Sequence, residues 1–204
     1  MSKKHQGERI VLASNNAGKV REINQLLVEQ EIVVVPQREY DIPEVEETGL
    51  TFEANARLKA EGYSLRTPDW VVADDSGLEV DALDGAPGVQ SARYGGPGLD
   101  DDGRNDRLLS ALTCRTDPAD RTARFVCLLA LAKDGVTHSV HRGVVEGRII
   151  DVGESARGEN GFGYDPIFFH PPSGCTTAEL DPAAKQAISH RGQAIASLLK
   201  SLRG

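Results

Sequence analysis

The chain has few cysteines, few aromatic residues and no excess of positive charge. Its three cysteines, Cys114, Cys127 and Cys175, are odd in number and show no CxxC spacing. This pattern argues against a disulfide framework or a structural zinc site, and it favours a reducing compartment. The formal net charge of −8 disfavours non-specific binding to nucleic acid or to anionic membranes.

Membrane and export signals are also missing. No apolar run approaches the length of a membrane span, and residues 1–8 lack the apolar stretch of a signal peptide. We therefore expect a cytoplasmic protein that has no membrane or nucleic-acid partner.

What is present is ordinary globular composition. The 204 residues are 39% hydrophobic and 26% charged, which disfavours disorder. This length suits one large domain or two closely packed lobes. Residues 1–7 are expected to form a flexible N-terminus.

The first part of the chain has the pattern of an α/β fold. A short apolar strand at Arg9–Ala13 is followed by the loop Ser14–Lys19, and then by a helix that runs to about Gln30. A second strand follows at Ile32–Val35, which predicts a parallel pair with a right-handed crossover. Thr51 is placed to cap a helix that runs through Gly62.

The second part of the chain has antiparallel features. The Asp134-Gly135 pair predicts a hairpin between strands at Phe125–Leu131 and Val136–Val145. A mixed sheet is therefore expected. The remaining elements are predicted from local pattern, namely a flexible loop at Gly95–Gly103, a helix around Asp106–Leu112 and a last helix capped by Ser189.

Two adjacent acids follow an apolar run and are the most informative feature. Trp70–Ala73 reads as a buried strand, Asp74–Gly77 as its polar exit, and Leu78–Ala82 as a further, half-exposed strand. Neighbouring carboxylates repel unless a cation or a proton lies between them, so Asp74 and Asp75 suit a magnesium ion. The alternative is a plain β-turn, since Asp, Ser and Gly all favour turns.

Two further segments place charged groups beside a predicted helix, and the first of them suits phosphate. The loop Ser14–Lys19 places backbone N–H groups and a lysine at a helix N-terminus, although it is not a Walker A loop. The alternative is an ordinary strand–helix connection. The acidic run Glu44–Gly49 precedes Asn55 and Lys59, which share a helix face, and here the alternative is a solvated loop beside a surface helix.

Of the last two segments, the first suits a planar base, and the second suits phosphate or a carbonyl oxygen on a base. The loop Gly158–Pro166 combines glycines with Phe162, Tyr164 and Asp165, and the alternative is that the aromatic side chains return to the core. Lys185 and the Ser189–Gly192 segment cluster cations near a helix start. The alternative there is a charged helix N-terminus, which the helix dipole disfavours.

Taken in order, these segments resemble the inosine triphosphate pyrophosphatase family, which removes non-standard purine nucleotides. The resemblance runs from about Ile10 to Leu202. The matching segments are Ser14–Lys19, Glu46–Phe52, Asn55–Lys59, Asp74–Leu78, Gly85–Gly88 with Ser91–Tyr94, Gly161–Phe168, and Lys185 with Ser189–Gln193.

The resemblance implies a fold and a reaction. The fold would be a mixed, strongly twisted sheet flanked by helices, in two lobes with a nucleotide-binding cleft between them. The reaction would be hydrolysis of ITP, dITP or XTP to the monophosphate and pyrophosphate, with Mg²⁺ as cofactor and a homodimer as the assembly.

The resemblance also implies residue roles. Asp75 would be the catalytic general base and also a metal ligand. The other metal ligands would be Asp74 and one of Glu46 or Glu47. The phosphates would be held by Ser14, Asn15, Asn16, Ala17, Gly18, Lys19 and Lys59, and the nucleoside side would be lined by Ser76, Phe162, Gly163, Tyr164, Asp165, Lys185, His190 and Arg191.

Selectivity would follow from the 6-oxo group of hypoxanthine and xanthine, because buried N–H donors facing it would be left unpaired opposite the amino group of adenine.

Two other hypotheses about the function compete with this one. One is a septum-inhibitor-type pyrophosphatase that acts on modified pyrimidine or 7-methylguanosine triphosphates. The other is a nucleotide-binding sensor without turnover.

Overall fold

The strands form one mixed, seven-stranded sheet flanked by helices. The structure is a computed structural model that describes residues 9–28, 32–36, 40 and 42–203. The predicted flexible N-terminus and the predicted end of the first helix near Gln30 lie outside these residues. The strands are β1 (Arg9–Ala13), β2 (Val33–Pro36), β3 (Trp70–Val80), β4 (Thr122–Lys133), β5 (Val136–Ile149), β6 (Phe168–His170) and β7 (Cys175–Thr176).

The strand order is β2-β1-β3-β4-β5-β6-β7. Strand β1 pairs in parallel with both β2 and β3, whereas β6 pairs antiparallel with β5 and β7. The predicted mixed sheet is therefore confirmed. Because the chain leaves β1 for one side and returns on the other, the carboxyl end of β1 and the adjacent part of β3 form a topological switch point, where open α/β sheets bind ligands.

The described residues divide into two compact units. The first contains the described residues up to Asp75, the segment Cys127–Gly143 and the described residues from His190 onward. The second contains Ser76–Val126 and Val144–Ser189. Strands β3, β4 and β5 each contribute residues to both units. The helices are α1 (Ala17–Val28), α2 (Phe52–Ser64), α3 (Asp101–Ala111), α4 (Pro182–Ile188) and α5 (His190–Arg203).

The core of the first unit joins strands to α1 and α5. The apolar face of α5 carries Ile195, Leu198 and Leu202, which pack in one cluster with Leu12 of β1 and Leu129 of β4. The side chains of this cluster are almost fully buried. This packing fixes the first turn of α5, which carries polar residues of the candidate site.

The core of the second unit forms around aromatic and aliphatic side chains. Phe125 and Phe168 lie 4.5 Å apart between ring centroids, and Leu78 and Leu108 belong to the same cluster. Arg121 is buried beside this core, and its guanidinium donates to four backbone carbonyls. Its charge is thereby satisfied by peptide dipoles.

The predicted boundaries of β3 and α3 differ from the structure by several residues, and those of α2, β4 and β5 differ by fewer. Strand β3 does not end at Ala73, because it continues through the Asp-Asp-Ser-Gly stretch to Val80. Its pairing with β1 ends at the Ala13–Ala73 pair, so Asp74 lies past the end of β1 while β3 still has β4 as a neighbour. Helix α3 begins earlier than predicted, since the Asp100 side chain accepts from Gly103 N–H and caps it.

The predictions of the Asp134-Gly135 turn and of the Thr51 cap are confirmed, whereas the Ser189 hydroxyl donates to the Gln186 carbonyl at the end of α4. Asp134 and Gly135 have φ values of 52° and 79°, as the two-residue hairpin turn between β4 and β5 requires. Thr51 caps α2 through Ala54 N–H. None of the helices in the described ranges combines the length and the apolar character that a bilayer crossing requires.

Replacing Gly143 by alanine is expected to destabilise the first unit. A Cβ there would overlap the His190 carbonyl oxygen and lie 2.8 Å from Ala194 N, so the backbone of α5 would have to move. We expect Gly143→Ala to lower the free energy of unfolding by about 2–3 kcal/mol, as overpacking does. Urea unfolding measures this change.

Gly103→Ala is the matched control, because an added Cβ in α3 meets only side chains, the nearest at 3.0 Å. Alanine favours the helix by about 1 kcal/mol relative to glycine. Equal destabilisation by both substitutions would contradict the prediction.

Candidate active site

Asp74 lies at the centre of a buried ionic cluster in the first unit. Its Oδ1 is 2.5 Å from Lys19 Nζ of α1, and its Oδ2 accepts from Arg191 Nε of α5 at 3.1 Å. The thiol of Cys127 on β4 also donates to Oδ2, at 3.2 Å. Arg191 in turn donates to Glu22, one turn after Lys19 on α1. Three elements therefore meet on one carboxylate of β3.

The cluster sets the ionisation of its members. Although burial opposes the charge of Asp74, Lys19 and Arg191 hold the pKa of that carboxyl well below its usual range. Burial raises the pKa of the Cys127 thiol, and the carboxylate of Asp74 raises it further. Cys127 therefore acts as a neutral donor, and Asp74 as a permanent anion.

Lys59 of α2 connects Glu47 with the two adjacent aspartates of β3. Its Nζ donates to Glu47 Oε1 and to the Asp74 carbonyl, each at 2.6 Å, and lies 3.5 Å from Asp75 Oδ1. Asn55, one turn earlier on α2, accepts from Gly49 N–H at 2.7 Å. This bond holds the acidic segment against α2 and explains why Glu47 reaches Lys59. Glu46 is exposed.

Asp75 has a different environment from its neighbour. It is 5% exposed, and its buried Oδ2 has no hydrogen-bond partner among the described residues. Burial raises the pKa of Asp75, whereas Lys59 and Lys19 act in the opposite direction. A buried carboxylate oxygen without a donor is costly, so it suits a ligand, a cation or a water molecule.

The strand–helix loop lies at the carboxyl end of β1, beside this cluster. Asn16 Oδ1 accepts from Lys19 N–H at 3.0 Å and thereby caps α1, and Ser14 Oγ accepts from Asn16 N–H at 3.3 Å. The first N–H groups of a helix have no partner within it, so Ala17 and Gly18 give this loop a positive end. The loop can therefore receive an anion.

A separate polar cluster lies in the second unit. Asp165 Oδ2 accepts from Lys185 Nζ at 2.7 Å and from Phe162 N–H at 2.8 Å, and Oδ1 accepts from Thr177 Oγ1 at 2.7 Å. The ammonium of Lys185 lies 5.2 Å from the centroid of the Phe162 ring. A Cβ at Gly161 would overlap Asp165 Oδ2, and its φ of 83° also favours glycine.

The two aromatic residues of this loop behave differently. Tyr164 is buried and donates to the Ser91 carbonyl at 2.9 Å, and burial raises the pKa of its hydroxyl. The Tyr164 side chain therefore packs in the core, which is the alternative that the sequence left open for the aromatic residues of this loop. Phe162 is half-buried, and so is Ser76 on β3.

The predicted site residues thus fall into two sets, one in each unit. The first set holds Ser14, Asn15, Asn16, Ala17, Gly18, Lys19, Glu46, Glu47, Lys59, Asp74, Asp75, His190 and Arg191. The second holds Ser76, Phe162, Gly163, Tyr164, Asp165 and Lys185. Arg191 was predicted on the base side, whereas its guanidinium here binds Asp74 and Glu22.

The sequence reading missed three contributors to these sets, namely Glu22, Cys127 and Thr177. Glu22 could have been found, because it lies three positions after Lys19 on one helix face. No local pattern indicated the other two. Within the described ranges no three His, Cys, Asp or Glu side chains are already grouped as a metal site.

Comparison with known proteins finds similarity over nearly the whole chain. A model of the Ham1 family matches residues 10–201. A dITP/XTP pyrophosphatase of Thioalkalivibrio sulfidiphilus (strain HL-EbGR7) is 48% identical over 198 residues, which cover 96% of this chain and 99% of that protein. One from Exiguobacterium sp. (strain ATCC BAA-1283 / AT1b) is 49% identical over 191 residues, with 93% and 94% covered.

Solved structures agree with this similarity. A HAM1 protein from Coxiella burnetii has a TM-score of 0.86 and 46% sequence identity, with 96% of this chain and 98% of that chain covered. The Ham1 protein of Staphylococcus aureus has a TM-score of 0.84 and 42% identity, with 97% and 99% covered.

Neutralising the two adjacent aspartates is expected to have different effects on stability. Asp74→Asn leaves the buried Lys19 and Arg191 without their shared anion, so the free energy of unfolding should fall by about 3–5 kcal/mol. Asp75→Asn removes a carboxyl whose raised pKa reflects the cost of burying its charge, so stability should stay level or rise by about 1 kcal/mol.

Urea unfolding at pH 7 in EDTA measures both variants in the metal-free protein. Since the pKa of Asp74 is depressed, its contribution is present above the unfolded value and is lost as pH falls through the folded value. Equal losses in the two variants would show that the environments do not differ.

Proposed function

The chain belongs to the Ham1 family, and on that premise we propose that it hydrolyses non-standard purine nucleoside triphosphates to the monophosphate and pyrophosphate. The proposed substrates are ITP, dITP and XTP. Support comes from the relatives named dITP/XTP pyrophosphatase. The observation that carries the proposal is the pair Asp74 and Asp75, of which one is neutralised by cations and the other retains a buried, unpartnered oxygen.

The lysines and the α1 loop of the first set handle the polyphosphate. Lys19 and Lys59 supply two positive charges, and the start of α1 supplies N–H donors. Both ammonium groups are held by the protein, Lys19 by Asp74 Oδ1 and Lys59 by Glu47 and the Asp74 carbonyl. Their positions therefore need little rearrangement when a charged substrate arrives.

Asp75 acts as the general base. Its carboxylate takes a proton from a water molecule, whose oxygen forms a bond to the α-phosphorus. The bond from the α-phosphorus to the bridging oxygen of the β-phosphate breaks, and pyrophosphate leaves. Burial brings the pKa of Asp75 upward, and therefore closer to the range in which a base works at neutral pH.

Magnesium fits the residues around Asp75. The unpartnered Oδ2 of Asp75 and the nearby carboxylate of Glu47 are oxygen ligands of the type that Mg²⁺ prefers. When bound, Mg²⁺ offsets phosphate charge. Of the other predicted ligands, Asp74 already binds three donors and Glu46 is exposed, so we assign the metal to Glu47 and Asp75.

The second set of residues handles the base. Phe162 offers a face for stacking, and Lys185 offers an N–H donor to the 6-oxo group that hypoxanthine and xanthine share. Asp165 holds both the Lys185 ammonium and the Phe162 backbone. His190 is assigned to the base as predicted, whereas Arg191 acts through Asp74 as a positioning residue.

Location and assembly are proposed on more general grounds. The three cysteines are free, which suits the reducing cytoplasm. The homodimer is proposed from the resemblance to the pyrophosphatase family.

The activity is tested by pyrophosphate release from ITP, XTP, dITP, GTP, ATP and 7-methylguanosine triphosphate, with and without Mg²⁺. We expect turnover of the first three with Mg²⁺, and a loss of roughly 10²–10⁴-fold in kcat for Asp75→Asn because the base is removed. Asp120→Asn, at an exposed acid, is the control.

Binding of ITP without pyrophosphate release would favour a sensor. A preference for 7-methylguanosine triphosphate would favour the septum-inhibitor type. Either outcome would overturn the proposal.

Selectivity is tested at Lys185. Lys185→Met removes the donor, so kcat/KM for ITP should fall about tenfold or more while that for ATP changes little. Lys185→Arg keeps a donor and should retain part of the preference. An unchanged ratio of ITP to ATP in a folded Lys185→Met variant would contradict the assignment.

A further inference from the structure

Helix α3 holds the middle of the aromatic loop Gly161–Asp165, which we call the base loop. Gly163 N–H donates to Asp101 Oδ2 at 2.8 Å, and the Gly163 carbonyl accepts from Asn105 Nδ2 at 3.1 Å. Asp101 and Asn105 are four positions apart and share one face of α3. Both polar groups of one residue are thus held by a single rigid element.

Asn105 is poorly explained by stability alone. It is 3% exposed, and its Oδ1 has no hydrogen-bond partner in the part of the chain that the structure describes. A buried amide with an unsatisfied oxygen costs free energy that an apolar side chain would not. The hydrogen bond from Asn105 Nδ2 to the Gly163 carbonyl is therefore the contact that explains an asparagine at this position.

Asp101 is suited to the complementary contact. It lies in the first turn of α3, where the helix dipole favours an anion, and its Oδ1 pairs with Arg104 at 2.7 Å. Burial acts against its charge, but bonds from Arg104 and Gly163 N–H lower the pKa of Asp101 overall. The acceptor is therefore ionised at neutral pH.

The base loop needs such support because of its sequence. Gly163 has a φ of 63° and no side chain to pack, so only its backbone can be anchored. Phe162 precedes it and is fixed by its own N–H bond to Asp165. Loss of the Gly163 anchors would let the Phe162 ring sample more positions, and a base that stacks there would have to order it.

We infer that Asp101 and Asn105 are positioning residues that hold the base loop for nucleobase recognition, an inference that rests on the proposed function. Their loss should weaken recognition of the base and leave recognition of the polyphosphate unchanged, because the residues assigned to the polyphosphate belong to the other unit.

The test compares a ligand with a base to a ligand without one. We would measure kcat and KM for ITP, and inhibition by inorganic tripolyphosphate, in Asp101→Ala, Asp101→Asn and Asn105→Ala. For the two alanine variants we expect KM to rise about tenfold, which is the loss of one hydrogen bond, with kcat within about threefold. Inhibition by tripolyphosphate should stay unchanged.

Two controls separate this role from general destabilisation. Asp101→Asn keeps an acceptor for Gly163 N–H and should recover most of the wild-type KM. Asp102→Ala removes the adjacent, exposed acid of the same helix turn and should behave as wild type.

Amide hydrogen exchange at Gly163, followed by NMR on the enzyme without nucleotide, reads the anchor without any activity. We expect faster exchange in Asp101→Ala and wild-type exchange in Asp102→Ala. Failure of the wild type to hydrolyse ITP would reject the proposed function. The exchange rate at Gly163 would still show whether Asp101 holds the base loop.

Three results would overturn the inference. They are unchanged exchange at Gly163 in Asp101→Ala, an unchanged KM despite faster exchange, and weaker inhibition by tripolyphosphate that parallels the rise in KM.

Discussion

The buried charge of Asp74 is the constraint on which the first unit depends. A carboxylate with 1% exposure is stable there only because Lys19, Arg191 and Cys127 supply donors from α1, α5 and β4. Those donors converge because β1 and β3 end their parallel pairing at the same level, which leaves Asp74 at the switch point of the sheet. The same contacts that neutralise Asp74 also fix the position of the Lys19 ammonium group.

Asp75 shows how the environment separates two identical side chains. Successive residues of a strand point to opposite faces, so Asp74 turns to Lys19 and Arg191, while Asp75 turns to Lys59 and keeps an Oδ2 that has no hydrogen-bond partner among the described residues. In the proposed function, one carboxyl is thereby committed to structure and the other to chemistry. Acid and base assignments in enzymes commonly follow from such a separation of neighbouring groups.

Local features of the fold were predictable from sequence, and long-range ones were not. The strand Arg9–Ala13, the Thr51 cap and the Asp134-Gly135 turn follow from short patterns, and the structure contains all three. The predicted end of β3 at Ala73 was wrong. Asp, Ser and Gly favour a turn, whereas pairing with β4 extends the strand. The bond between Asp74 and Arg191 spans 117 positions, which no spacing rule can reveal.

That span has a consequence for the order in which the molecule is made. The first unit is assembled from three separated stretches of chain, and the last of them brings Arg191. Until the ribosome has released the residues after His190, Asp74 lacks one of its counter-charges and α5 cannot cover the strands. A nascent chain therefore lacks part of the ionic cluster around Asp74 through most of its synthesis, and the cluster is complete only once α5 has been made.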